Sequence, residues 1–220
     1  MIVVFDLDGT LIDSAYDVAT SANELVTTLG GAPLDLDTVI NMIGEGAAVL
    51  VKRALTAAGL DPDTPDALAR FLEIYSRHLL DRTQPYPGVQ ETLAIAAHRA
   101  RLAILTNKPL AHTERILEGL RLRDFFSVVV GGDNPRGRKP DPAALLAIVA
   151  AAADQGALFV GDSPIDDQTA RAAHVSFAWA RYGFGSTRFG EARPETPYVL
   201  DAARDLLAIL DRLDTVYSMT

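Results

Sequence analysis

The chain has 220 residues, enough for one good-sized domain or a core with a smaller insert, and its 49% hydrophobic and 22% charged residues are those of a globular protein. A formal charge of −9 argues against non-specific binding to nucleic acid or anionic membranes, and no apolar run reaches the length of a transmembrane helix. The absence of cysteine excludes disulfides and thiolate metal sites and, with a strand starting too near the N-terminus to leave room for a signal peptide, points to a reducing, cytoplasmic setting.

The first element is a β-branched apolar run, Ile2-Val3-Val4-Phe5, which reads as a buried strand. It runs into Asp6-Leu7-Asp8-Gly9-Thr10, two carboxylates two residues apart followed by Gly and Thr. At background usage such a D-x-D-G-T string arises at roughly one position in 10⁵, although an acidic turn would use the same residue types. Helical spacing then takes over. Asp13 or Ser14 can cap a segment that carries Val18, Ala22, Leu25, Val26 and Leu29 on one face, and Gly30-Gly31 stops it. A short segment at 36–43, the turn Gly44-Glu45-Gly46, a helix over 47–58 and another over 64–80 with Pro65 in its first turn follow. Residues 14–82 therefore read as wholly helical.

From Tyr86-Pro87-Gly88 the texture changes to alternating helix and strand. Helices are expected at 89–100, 110–120, 142–153, 165–173 and 202–213, and strands at 102–106, 127–130, 158–160, 175–178 and 198–200. Alternation of this kind implies right-handed βαβ units and a parallel sheet, which the first strand must join. The expected fold class is α/β, a doubly wound, Rossmann-like parallel sheet with an inserted α-helical cap. Residues 1–13 with 83–220 form the core domain, and 14–82 form the cap.

In open α/β sheets ligands bind beyond the carboxyl ends of the strands. The polar residues of this chain gather there: Asp6 and Asp8, then Thr106 and Asn107, then Asp162 and Asp166, with Lys139 in a loop before a helix. Several carboxylates brought together repel unless a cation sits among them, and an all-oxygen donor set suits Mg²⁺. A carboxylate can attack phosphorus, and a second one two residues on can protonate the leaving alkoxide and later activate water. In-line transfer also needs donors around the phosphoryl oxygens, for which Thr106, Lys139 and the N–H groups of Leu7 and Asn107 are the candidates.

Four stretches, DLDGTL at 6–11, TNK at 106–108, KPDP at 139–142 and GDSPIDD at 161–167, together resemble the motifs of the haloacid dehalogenase superfamily of phosphohydrolases, in that family's order. The resemblance implies Asp6 as nucleophile, Asp8 as general acid/base, Thr106 and Asn107 at the phosphate, and Lys139 steadying phosphate and nucleophile. It implies Mg²⁺ held by Asp6, Asp162, the carbonyl of Asp8, and Asp166 directly or through water. An acid at position 8 disfavours the haloacid dehalogenases and phosphonate hydrolases themselves. Gly161 stands where β-phosphoglucomutases typically carry Glu.

Ile43-Gly44-Glu45-Gly46, followed by Leu50 and Arg53-Ala54-Leu55, is similar to the helical-cap signature of phosphoglycolate phosphatases, as are Tyr86-Pro87-Gly88-Val89 and Gly131-Gly132-Asp133. The activity this implies is Mg²⁺-dependent hydrolysis of a small phosphorylated metabolite, 2-phosphoglycolate first. Inorganic pyrophosphate or a sugar phosphate comes second, and a phosphomutase or a non-catalytic binding module last. A substrate carboxylate would want a cation or N–H near Gly44 and Gly46, for which Lys52 and Arg53 are the candidates. Of the remaining polar residues, Asp133 reads as a loop cap, Asp167 as a helix N-terminal charge, and His78 and His98 as helix-surface residues. His174 ends a helix where many relatives have Gly.

Overall fold

The computed structural model describes residues 1–152 and 156–217. In chain order its strands are β1 (Ile2–Phe5), β2 (Ile12–Asp13), β3 (Gln84–Pro85), β4 (Arg101–Leu105), β5 (Val128–Val130), β6 (Ala157–Gly161), β7 (Ser176–Ala180) and β8 (Tyr198–Leu200). Six of them form one sheet in the order β5-β4-β1-β6-β7-β8, every pairing parallel. Helices α1 (Ala15–Thr28), α2 (Leu36–Ile40), α3 (Ala47–Ala57) and α4 (Ala67–Arg77) fall between β2 and β3. Then come α5 (Val89–Ala96), α6 (Leu110–Gly119), α7 (Ala143–Ala152), α8 (Pro164–Ala172) and α9 (Asp205–Tyr217).

The doubly wound expectation holds, and β1 explains why. All four of its residues are buried. Successive side chains on a strand point to opposite faces, so a strand buried on both sides needs a helical layer on each. Val3 and Phe5 pack with Leu93 of α5, Ile116 of α6 and Leu210 of α9. Ile2 and Val4 pack with Leu145 and Ile148 of α7 and Ala170 of α8. Among the described residues no helix is long and apolar enough to cross a membrane.

The helical block has its own apolar seam, in which Val18, Leu25 and Val26 of α1 meet Leu50 and Leu55 of α3 and Phe71 and Ile74 of α4. Two helices are shorter than their periodicity suggests. Asp66 takes a left-handed φ of 59°, so α4 starts after it, at Ala67 and not at 64. The chain beyond α5 tightens through bonds from His98 N–H to Ile95 O and from Arg99 N–H to Ala96 O, which end the helix before 100. The expected end of α7 at Ala153 lies outside the described residues. His174 adopts the left-handed φ of 53° that Gly would take at a helix end.

The two chain crossings between block and sheet carry structure that the sequence reading left out. β2 and β3 pair antiparallel, Ile12 with Pro85 and Asp13 with Gln84. Asp17, in the first turn of α1, is only 1% exposed. Its carboxylate accepts hydrogen bonds from the N–H of Arg82 (3.0 Å) and from the N–H (2.8 Å) and hydroxyl (2.7 Å) of Thr83. The outgoing helix and the returning chain are thus tied through one side chain. Asp17→Ala would leave the buried N–H and hydroxyl of Thr83, and the N–H of Arg82, without their acceptor. It is expected to lower the unfolding free energy by about 2–4 kcal/mol in urea titrations; a loss within experimental error would show that the tie carries no stability.

Candidate active site

The three central strands β4, β1 and β6 end together at the point where the chain switches from one side of the sheet to the other. Asp6 follows β1 and extends its pairing, donating its N–H to Val160 O (2.9 Å); Thr106 follows β4 and donates to Val130 O (3.0 Å). Asp162 follows β6, and Asp166 sits in the first turn of α8. Lys139 arrives from the loop before α7. All five are buried.

Lys139 is the hub. Its ammonium lies 2.7 Å from Asp6 Oδ1 and 2.7 Å from Asp166 Oδ1. The other oxygen of Asp166 accepts from the N–H (3.0 Å) and hydroxyl (2.6 Å) of Ser163, so the start of α8 holds that carboxylate in place. Asp162 accepts from the Thr10 hydroxyl (3.2 Å) and the Gly185 N–H (2.7 Å). Gly9 makes this approach possible. It has a φ of +87°, and a Cβ there would stand 2.1 Å from Asp162 Oδ2.

Asp6, Asp162 and Asp166 bring one carboxylate oxygen each within 4.8 Å of one another. Three buried carboxylates against one ammonium leave excess negative charge where water cannot screen it. Burial, opposed by Lys139 and reinforced by Asp166, pushes the Asp6 carboxyl up to about 6. Burial, with Asp166 and Asp6 added, also raises Asp162 well above the usual carboxylate range. Burial works against the charge on Lys139, but Asp166 and Asp6 more than offset it and hold its proton above the ordinary lysine range. An excess of hard oxygen donors with no nitrogen or sulfur among them is what a Mg²⁺ site requires, so the residues present fit that ion.

Asp8 belongs to a second array. Its Oδ1 accepts from the Ser14 hydroxyl (2.5 Å) and the Lys108 ammonium (2.8 Å), and Lys108 also donates to the Tyr75 hydroxyl of α4 (2.6 Å). The sequence reading treated Ser14 as a possible helix cap. In the structure its hydroxyl turns to Asp8, and Asp13 accepts from the Ala15 N–H instead (3.1 Å). The sequence alone gives Lys108 and Tyr75 no role. The signal for Lys108 was its place in the TNK stretch; Tyr75 carried none, because on α4 it reads as part of the apolar stripe. Burial, assisted by Asp8, raises the Tyr75 phenol to about 12, so it stays protonated.

A small pocket of about 50 Å³ lies between sheet and helical block, lined by Asp6, Asp8, Thr106, Asn107 and Lys108 from below and by Gly44, Gly46, Leu50, Phe71 and Tyr75 from above. Asn107 joins the two sides, its amide donating to Gly44 O (2.9 Å) and to Lys139 O (3.0 Å). Ser76 of α4 bonds His112 of α6 (2.7 Å), and Arg188 reaches from the far side of the site to Ile43 O. Arg53 requires a correction. It is not part of the pocket wall, because Glu45 takes its guanidinium at 2.6 Å on the exposed surface. Lys52 is likewise drawn to Asp63 (2.7 Å). Asp133 does act as a cap, accepting from the Leu110 N–H at the start of α6 (2.9 Å), and Asp167 pairs with Arg171 one turn along α8 (2.9 Å).

Comparison with known proteins agrees with this geometry. A family model described as haloacid dehalogenase-like hydrolase matches residues 3–180. The chain is 42% identical over 217 residues to a phosphoglycolate phosphatase of Pseudomonas putida, covering 94% of this chain and 78% of that protein. It is 45% identical over 193 residues to a phosphoglycolate phosphatase of Rhodospirillum rubrum, covering 83% and 80%. Among solved structures it superposes with a TM-score of 0.84 and 31% identity on a predicted phosphoglycolate phosphatase from Haemophilus somnus 129pt, covering 94% of this chain and 96% of that one.

The raised carboxyls fix how metal binding should depend on pH. The folded-state value of Asp6, about 6, lies above its ordinary 3.8, so its contribution to stability is complete below the ordinary value and is lost as pH rises through about 6. Mg²⁺ held by these carboxylates would favour the ionised set and act against that loss. The rise in Tm on adding Mg²⁺ is therefore expected to be small near pH 5 and several degrees near pH 7.5, and to vanish in Asp162→Asn. Equal increments at both pH values, measured by scanning calorimetry, would contradict the assigned donor set.

Proposed function

The chain belongs to the haloacid dehalogenase-like hydrolases and is a phosphatase of that family, and we propose that its substrate is 2-phosphoglycolate, cleaved to glycolate and phosphate through an aspartyl-phosphate on Asp6. The observation that carries the mechanism is the buried Asp6–Lys139–Asp166 array beside Asp162. Lys139 holds Asp6 Oδ1 at 2.7 Å, which leaves Oδ2 as the attacking atom. The substrate assignment is supported by the relatives in Pseudomonas putida and Rhodospirillum rubrum and by the Gly44-Glu45-Gly46 turn at the pocket.

In the first step Asp6 Oδ2 forms a bond to phosphorus while the bond from phosphorus to the glycolate oxygen breaks, and Asp8 delivers its proton to that oxygen. In the second, water attacks phosphorus, Asp8 takes up the water's proton, and the bond to Asp6 breaks to release phosphate. Thr106 and the N–H groups of Leu7 and Asn107 supply donors to the phosphoryl oxygens, and Lys139 supplies positive charge. Mg²⁺, held by Asp6, Asp162, the carbonyl of Asp8, and Asp166 directly or through water, would offset the charge of the phosphate. Residues 14–82 serve as a cap that excludes bulk water in the first step and admits one molecule in the second. The bonds from Asn107 to Gly44 and from Lys108 to Tyr75 support this role.

The test is a phosphate-release screen over 2-phosphoglycolate, inorganic pyrophosphate, glucose 6-phosphate and ribose 5-phosphate. 2-Phosphoglycolate is expected to give the highest kcat/KM, and a lead for pyrophosphate or a sugar phosphate would overturn the assignment. Asp6→Asn should lower kcat by at least about 10³-fold with the far-UV circular dichroism unchanged. A chelator should stop turnover, and added Mg²⁺ should restore it.

A further inference from the structure

A leaving group with a carboxylate brings a second negative charge into the pocket, beyond the phosphate. Much of the wall that meets it is apolar, formed by Val18, Ile43, Leu50, Phe71 and Leu72. The two cations that follow the Gly44–Gly46 turn in sequence are turned away, Lys52 to Asp63 and Arg53 to Glu45. Among the described residues lining the pocket, Lys108 is the one lysine or arginine, while the guanidiniums of Arg188 and Arg138 lie close to Gly44 and Gly46 without lining it. His112, the other basic group there, is driven toward its neutral form, chiefly by burial and then by Lys108 itself.

The Lys108 side chain is 4% exposed. Its ammonium has three N–H groups; one goes to Asp8 Oδ1 (2.8 Å) and one to the Tyr75 hydroxyl (2.6 Å). Asp8, as the group that serves the bridging ester oxygen, lies within a hydrogen bond of that oxygen when substrate is bound. In a leaving group of the form O–CH₂–COO⁻ the carboxylate carbon is two bonds from the same oxygen. A cation already bonded to Asp8 therefore stands where such a carboxylate must fall. A neutral alkyl chain would instead press carbon against a buried ammonium and offer its remaining N–H no acceptor.

We propose that Lys108 is the specificity-determining residue of the pocket, receiving the leaving-group carboxylate and selecting phosphate monoesters of short 2-hydroxy acids over neutral esters of the same size. This rests on the phosphatase reading above and adds to it the group that recognises the substrate. Selectivity arises from the core of the fold, because the cation sits two residues after Thr106, directly beyond β4. The helical block contributes the apolar wall and the Tyr75 hydroxyl that orients the ammonium.

A matched pair of substrates isolates the charge: 2-phosphoglycolate and ethyl phosphate differ by a carboxylate in place of a methyl group. The wild-type enzyme is expected to favour 2-phosphoglycolate in kcat/KM by about 10- to 100-fold, the range of a charge-assisted hydrogen bond. In Lys108→Met activity should fall on both substrates, because Asp8 loses a donor, and fall further on 2-phosphoglycolate, so that the ratio collapses toward unity. Lys108→Gln, which keeps a donor for Asp8 and removes the charge, should lose the ratio as well. Equal losses on both substrates in these variants would assign Lys108 to the support of Asp8 alone and overturn the proposal. Absence of discrimination by the wild-type enzyme would overturn it without any variant. Faster turnover of pyrophosphate than of 2-phosphoglycolate would refute the substrate named above, and the matched-pair ratio would still decide the role of Lys108.

Discussion

The contact on which the rest of the site depends is the buried ammonium of Lys139 between Asp6 and Asp166. Two carboxylates that close, taken out of water, would otherwise take up protons or move apart. One cation at 2.7 Å from each fixes their separation and leaves Asp6 with an oxygen to use. This contact needs three elements of the sheet layer at once: the end of β1, the first turn of α8 and the loop before α7. Neighbouring parallel strands that end at one edge supply the first two, and the crossover that returns the chain to β6 supplies the third. The fold is thus a means of bringing residues 6, 139 and 166 to one point.

Lys108 repeats the device with a different outcome. Lys139 lies between two carboxylates, so its charge is fully matched within the protein. Lys108 lies between one carboxylate and a phenol, and a phenol that stays protonated returns no charge. The two lysines therefore divide the site. One half is balanced internally, apart from the excess negative charge that a metal would take up. The other half holds an ammonium with a single anionic partner, facing a largely apolar chamber.

The fold class was legible because its signals are local and repeated. Apolar runs such as Ile2–Phe5 and Ala157–Gly161 end in charged or glycine-rich turns, and helical spacing separates them. The motif residues Asp6, Asp8, Thr106, Asp162 and Asp166 were legible for the same reason, since each lies just past a strand or in the first turn of a helix, and Lys139 was legible from the KPDP stretch that leads into α7. The contacts between sheet and block were not. Tyr75 looks like one more apolar position on α4, and nothing in its neighbourhood along the chain announces a lysine 33 residues away. Arg53 failed in the opposite direction. Its proximity in sequence to the Gly44–Gly46 turn suggested a pocket residue, but the helix it stands on turns it toward Glu45 and solvent. The position of Ser14 before α1 suggested a cap, but its hydroxyl donates to the Asp8 carboxylate six residues back and makes no bond to the helix.

Several of the polar bonds that join block to sheet use residues that line the pocket. Gly44 meets Asn107, Tyr75 meets Lys108, and Ser76 meets His112. The antiparallel pair of β2 and β3 and the Asp17 carboxylate hold the two crossings together at the other end. Any separation of block from sheet would break those bonds, uncover apolar residues that the two share in one core cluster, and take the Tyr75 hydroxyl away from Lys108. The surroundings of the Lys108 ammonium therefore depend on the packing of the block as much as on the strand that precedes it.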